Sequence, residues 1–152
     1  MAESHEIGNH SYSHCPDLVA RVSEDEIRDE LTRTNEIVRA VTSQMPALMR
    51  PPVGRLDERV TRIAAEVGFR YNVLWSLNSD DWRRAEVSVE DIVHNVCSRA
   101  SPGTIVLLHD GPPPERPDES CDATVDALGG ILSRLSEDGY RFVTVSDLLA
   151  MA

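Results

Sequence analysis

No stretch of this 152-residue sequence is long and apolar enough to span a bilayer, which excludes an integral helical membrane protein. The opening residues, Met1-Ala2-Glu3-Ser4-His5-Glu6, hold neither a basic stretch nor an apolar one, so they do not form a signal peptide. Cationic character is lacking too. Fifteen Lys and Arg against 26 Asp and Glu leave a formal net charge of −11. Nucleic acid and anionic membrane both need a cationic surface and are excluded as partners, whereas a neutral or amine-bearing glycan is not. The three cysteines, Cys15, Cys97 and Cys121, form no CxxC pair and are odd in number, so neither a disulfide framework nor a cysteine zinc site is indicated. Cys97 continues an apolar helical stripe and reads as a small core residue.

What is present is ordinary for a globular chain: 41% hydrophobic and 27% charged residues, enough for one domain over residues 1–152 with one substantial core. Helix and strand signals alternate. Ser23 and Glu26 read as a capping box ahead of an apolar stripe of Ile27, Leu31, Val38 and Val41. A short strand, Ala47 to Met49, runs into an Arg50-Pro51-Pro52-Val53-Gly54 turn. Leu56, Val60, Ile63, Ala64 and Val67 then share a helix face that Gly68 stops.

Phe69 to Leu77 reads as a strand, and Ser88 as the cap of a helix with Val89, Ile92, Val93 and Val96. Thr104 to Leu108 is a continuous apolar run, the pattern of a strand buried on both faces. After a proline-rich loop from Gly111 to Ser120 come a helix with Val125, Leu128, Ile131, Leu132 and Leu135, a strand Arg141 to Val145, and a short helix from Ser146. This βαβαβ order predicts an α/β fold with a parallel sheet or barrel, whose chemistry gathers at the C-terminal strand ends.

Polar residues of catalytic type stand at those ends: Arg50, then Asn78 to Trp82, then His109-Asp110. Ahead of them His10 and His14 are four apart, so one helical turn would set both imidazoles on one side, as two ligands of a zinc-like cation require. Two surface histidines in a polar loop fit the same spacing. Arg50 likewise suits a plain proline turn, and Asp80-Asp81 a solvated acidic loop. His109 ends an otherwise apolar run, so it is either satisfied in the core or aimed into a site.

Taken in order, His5-Glu6-Ile7-Gly8-Asn9-His10-Ser11-Tyr12-Ser13-His14, Arg50-Pro51-Pro52-Val53-Gly54, Asp80-Asp81-Trp82 and Ile105-Val106-Leu107-Leu108-His109-Asp110 closely resemble four of the five motifs of the NodB-homology polysaccharide deacetylases, carbohydrate esterase family 4. The resemblance implies an incomplete (β/α) barrel, with about five of seven strands present. It also implies a metal-dependent hydrolase that removes acetyl groups from N-acetylated or O-acetylated glycans. His10 and His14 would be ligands of a divalent metal, zinc in most relatives, which activates a water molecule.

Arg50 would orient the carboxylate base, and the backbone N–H of Val53, where many relatives have tyrosine, would help hold the oxyanion. Asp81 would support His109, the general acid for the leaving amine, because a carboxylate beside an imidazole favours its acid form. Trp82 would line the pocket wall, and Leu107 the pocket for the acetyl methyl group.

Three departures stand out. Asn78 replaces a frequent aspartate, and Cys15 follows His14 where relatives go straight to proline. The first motif, Thr-Phe-Asp-Asp-Gly-Pro, which supplies the base and the third metal ligand, occurs nowhere in the sequence. The expectation is therefore the C-terminal portion of a deacetylase domain, weakly stable or self-associating, with little activity alone. A non-catalytic remnant or glycan-binding module, and one half of a split enzyme completed by an N-terminal chain, stay open. Without an export signal the expected location is cytoplasmic as written, or the cell envelope if translation starts upstream.

Overall fold

A computed structural model describes residues 5–20 and 22–151, which fall into two compact units, Met1–Leu74 and Trp75–Ala152. In the first, α1 (Glu24–Thr42) begins at the expected capping box: the Ser23 side chain accepts from the Glu26 N–H, and the Glu26 carboxylate takes the Ser23 N–H. Strand β1 (Leu48–Met49) leads into a 3-10 turn, Pro52–Gly54. Helix α2 (Glu58–Val67) is capped by Asp57 and closed by Gly68, whose φ of 112° is open to glycine at little cost. Strand β2 (Tyr71–Asn72) pairs parallel with β1, Leu48 opposite Tyr71.

Leu18, Ile27, Leu31, Met49, Val60, Ile63, Ala64 and Phe69 make the core of this unit. The stripe of α1 departs from the expected one at its C-terminal end. Val41 is exposed and Asn35 is buried instead, because Asn35 Oδ1 accepts from the amide of buried Asn9 at 2.8 Å. Cys15 packs half-buried against the core.

The second unit holds β3 (Leu77–Asn78), a 3-10 segment Asp81–Glu86, α3 (Val89–Cys97), β4 (Val106–Leu107), α4 (Asp122–Glu137) and α5 (Val145–Ala150). Strands β3 and β4 are parallel, Leu77 opposite Val106. Ser88 caps α3 through a capping box with Asp91. Leu77, Val87, Ile92, Val96, Ala127, Ile131 and Leu135 form the core, with Cys97 half-buried against it and its thiol pushed up by burial.

Four expectations need correction. The strand read from Phe69 to Leu77 is two short strands, because β2 pairs with β1 while β3 pairs with β4. The Thr104 to Leu108 run is not buried on both faces: Leu107 is buried and its four neighbours are half-buried. Residues 141–144 form no strand, since no other strand pairs with them among the described residues, and Thr144 instead caps α5.

The fourth concerns α4. It turns Thr124, Ala127, Ile131 and Leu135 inward and leaves Val125, Leu128 and Leu132 exposed. Its small-residue side allows the closer approach to α3: a Cβ on Gly130 would lie only 3.2 Å from Val93 Cγ2. Among the described residues the fold is α/β with parallel pairing, carried on four two-residue strands.

Candidate functional site

In the first unit the histidine segment is fastened to the end of β1. Asn9 donates its N–H to the Leu48 carbonyl and accepts from the Arg50 N–H, both at 2.8 Å. His10 therefore falls beside Arg50, and its Nδ1 lies 2.7 Å from the Arg50 carbonyl oxygen. A carbonyl only accepts, so Nδ1 carries a proton.

No helical turn brings the two imidazoles together, contrary to the expectation from their spacing. Ser11 and His14 instead adopt left-handed conformations, φ 65° and 54°, and the ring centroids come within 4.9 Å, edge to face. Side chains take the N–H groups that a helix would have used. Asn9 Oδ1 accepts from Ser11, Ser11 Oγ from His14, and the Glu30 carboxylate from Tyr12 and Ser13 at 2.9 and 2.7 Å. The Arg33 guanidinium stacks over the Tyr12 ring at 3.9 Å and ties the loop to α1.

Arg50 turns its guanidinium along the backbone of the same unit, Nε donating to the Val73 carbonyl and Nη2 to that of Leu74. Burial lowers its pKa. In the turn that follows, Val53 sits at φ 50°, ψ 17°, a conformation uncommon for any L-residue and an outlier for a β-branched one. Gly54 and Arg55 return their N–H groups to the Pro51 and Pro52 carbonyls, while the Val53 N–H makes no hydrogen bond among the described residues. The Val53 side chain is half exposed.

The second unit assembles a different device. The Asp81 side chain is fully buried, and both of its oxygens are committed. Oδ1 lies 2.8 Å from His109 Nδ1 and 3.0 Å from the Ser79 hydroxyl. Oδ2 accepts from the His109 backbone N–H at 2.6 Å and from the Thr124 hydroxyl at 3.0 Å. Burial alone would raise the Asp81 pKa, but the His109 ring and N–H, with help from the imidazolium charge and Ser79, hold the carboxyl below its ordinary range.

An ionised carboxylate only accepts, so His109 Nδ1 is protonated and Nε2, on a ring one-third exposed, is the atom left to exchange a proton with a bound molecule. Trp82 follows in the 3-10 segment and is 47% exposed; Leu107 is buried at the end of β4.

The structure thus brings His10, His14 and Arg50 together in one unit, and Asp81 and His109 in the other. Among the described residues no three His, Cys, Asp or Glu side chains are grouped to hold a metal, so the two histidines fit as a ligand pair but not as a complete donor set. The residues that sequence reasoning missed are the holders: Asn9, Glu30 and Asn35 around the histidines, Ser79 and Thr124 around Asp81. Asn9 had a signal in its place beside His10, and Ser79 in its place beside Asp80-Asp81. Glu30 and Thr124 lie on helices far along the chain and had none.

The polysaccharide deacetylase family model matches residues 1–72. A peptidoglycan-N-acetylglucosamine deacetylase of Bacillus cereus is 38% identical over 146 residues, 96% of this chain and 50% of that protein. Among solved structures, an acetyl xylan esterase of carbohydrate esterase family 4 from Clostridium thermocellum, in complex with a cobalt ion, matches with a TM-score of 0.78 at 30% identity. That match covers 97% of this chain and 65% of the other. A family 4 pseudoenzyme from Bacillus anthracis matches with a TM-score of 0.77 at 30% identity, over 95% of this chain and 46% of the other. The chain therefore spans between 46% and 65% of the length of these relatives. Identity sustained along nearly the whole chain, together with the shared α/β fold, makes this chain similar to the polysaccharide deacetylases of carbohydrate esterase family 4.

Proposed function

We propose that this chain belongs to one catalytic domain of a metal-dependent deacetylase acting on N-acetylated glycan, and that its two units carry different parts of the chemistry. The observation that carries this reading is the Asp81–His109 pair: a buried carboxylate fixes both the backbone and the Nδ1 of a half-buried imidazole, leaving Nε2 to deliver a proton. His109 is the general acid for the leaving amine, and Asp81 fixes its tautomer and direction. Trp82 and Leu107 are substrate-wall residues.

In the first unit His10 and His14 are two ligands of a divalent cation, zinc by the usage of the family. When bound, such an ion polarises an acyl oxygen and makes bound water a better nucleophile. Arg50, held by two carbonyls, orients an anionic partner of the site, and the Val53 N–H is the oxyanion donor. Peptidoglycan is the favoured substrate class, given the Bacillus cereus relative, and it puts the place of action at the cell envelope. No helix among the described residues is long and apolar enough to cross a membrane.

Acetate release from N-acetylated peptidoglycan fragments, with added zinc, tests the reading. Little release is expected from this chain alone; joined to a segment that carries the Thr-Phe-Asp-Asp-Gly-Pro motif it should release acetate, and His109→Ala should abolish that release while circular dichroism stays unchanged. Equal release by His109→Ala would refute the assignment of the acid. A second reading, a non-catalytic glycan-binding protein, is favoured by the similarity to a pseudoenzyme and by the two-histidine donor set. Glycan binding without acetate release, even from the chain joined to that segment, would establish it in place of the first.

A further inference from the structure

Three residues after Asp81, Arg84 combines two unfavourable features at one position. Its backbone lies at φ 54°, ψ −115°, the first central position of a type II′ turn, where glycine is the usual occupant. Its side chain is only 9% exposed, and a buried guanidinium is costly unless paired. The neighbouring Arg83 shows the alternative: half exposed, it pairs with Glu86 on the surface.

What Arg84 reaches explains the arrangement. Its Nη2 donates to the Gly111 carbonyl at 3.1 Å, two residues past His109. Its Nε faces Glu119 Oε2 at 3.7 Å, at the far end of the same loop. Among the described residues Nε, Nη1 and that Glu119 oxygen are all buried without a hydrogen-bond partner, so the pair stands one side-chain adjustment short of a charge-assisted bond. Arg116, inside the loop, holds the other Glu119 oxygen at 2.9 Å.

The loop has little of its own to hold it. Pro112, Pro113, Pro114 and Pro117 have no N–H to donate. Two turn bonds, Arg116 N–H to Pro113 and Glu119 N–H to Arg116, are its internal backbone contacts among the described residues.

We propose that Arg84 is a positioning residue, its buried guanidinium clamping the Gly111 and Glu119 ends of the proline-rich loop and so fixing the direction in which His109 presents its ring. One short segment then holds the acid twice: Asp81 grips His109 itself, and Arg84 grips the chain that leaves it. The proposal rests on the deacetylase reading only for the use His109 makes of its proton. The clamp can be tested without any turnover.

In the full chain, cleavage after Glu115 by a glutamyl endopeptidase reports release of the loop, and the His109 ring signals in 15N-histidine-labelled protein report its direction. Arg84→Gly relaxes the backbone while deleting the clamp, so faster cleavage in it cannot come from conformational strain. We expect cleavage about tenfold faster than in the parent, because proteolysis follows the population of opened loop. His109 signals should shift, Arg84→Lys should recover part of both effects, and the Arg83→Gln control should match the parent. Glu119→Gln, which removes one clamped end without opening a cavity, should raise cleavage by a smaller factor. If Arg84→Gly costs the fold, Glu119→Gln decides alone. Unchanged cleavage and an unmoved His109 ring in the folded variants would overturn the clamp. Failure of acetate release would leave these readouts untouched, so the two ideas can fail separately.

Discussion

Asp81 accepts from a backbone N–H, an imidazole and two hydroxyls while its side chain is wholly removed from solvent. Such a carboxylate cannot be changed cheaply. Asp81→Asn puts an amide where at least one donor now points, and leaves a buried group unsatisfied. We expect a loss of about 2–4 kcal/mol in urea unfolding at neutral pH. The pH dependence follows from the depressed pKa. The folded state gives up its proton more readily than the unfolded one, so the stabilisation is full above the ordinary value of 3.8 and fades as pH falls through the lower folded value. The difference between parent and Asp81→Asn should therefore shrink as pH falls below about 4. A difference that grows below pH 4 would contradict this account.

Val53 provides the opposite sign. Glycine in place of an ordinary exposed valine destabilises by roughly 0.5–1 kcal/mol through chain entropy. At φ 50° the valine already carries about 1–2 kcal/mol of left-handed strain, and its side chain is half exposed. Val53→Gly should be neutral or raise the unfolding midpoint slightly. A clear drop would mean that the turn depends on the valine side chain.

At the scale of elements, local chemistry was readable and partner choice was not. Ser23 with Glu26 and Ser88 with Asp91 start their helices because a capping box is complete within four residues, and Gly68 ends one because αL is cheap there. The positions of the candidate site residues in the fold were readable for the same reason. His10, His14, Arg50, Asp81 and His109 each fall where a strand end or loop sets them down. What could not be read is which helix side faces inward when more than one qualifies. Leu128 and Leu132 look like core residues until Gly130 lets α3 approach from the other side. Nor does a spacing of four specify a helix: His10 and His14 meet through two left-handed residues and a carboxylate from α1.

That carboxylate yields an element-scale prediction. Glu30→Ala releases the Tyr12 and Ser13 N–H groups without touching either histidine. Zinc affinity of the chain should fall when measured by calorimetry, while α1, whose cap lies at Ser23, keeps its helicity. Equal affinity would show that the loop holds its shape without α1.

For the molecule as a whole the balance lies between apolar exposure and charge. Val125, Leu128 and Leu132 follow one another along one side of α4 and are all exposed; Phe142 and Val143 are exposed as well. Apolar surface of this kind favours association. The net charge of −11 opposes it, because two copies repel at long range. The two effects respond differently to salt. Repulsion between exposed charges is screened over about 10 Å at 0.1 M ionic strength, whereas apolar burial is not weakened. Self-association in sedimentation experiments should therefore strengthen as sodium chloride is raised, the reverse of what an ion-paired interface would do. Leu128→Lys combined with Leu132→Lys should weaken it at every salt concentration. Both positions face solvent, so the core of Ile131, Leu135 and Ala127 is not disturbed. Association that disappears with added salt, or survives the double substitution unchanged, would place the contact elsewhere than on the outer side of α4.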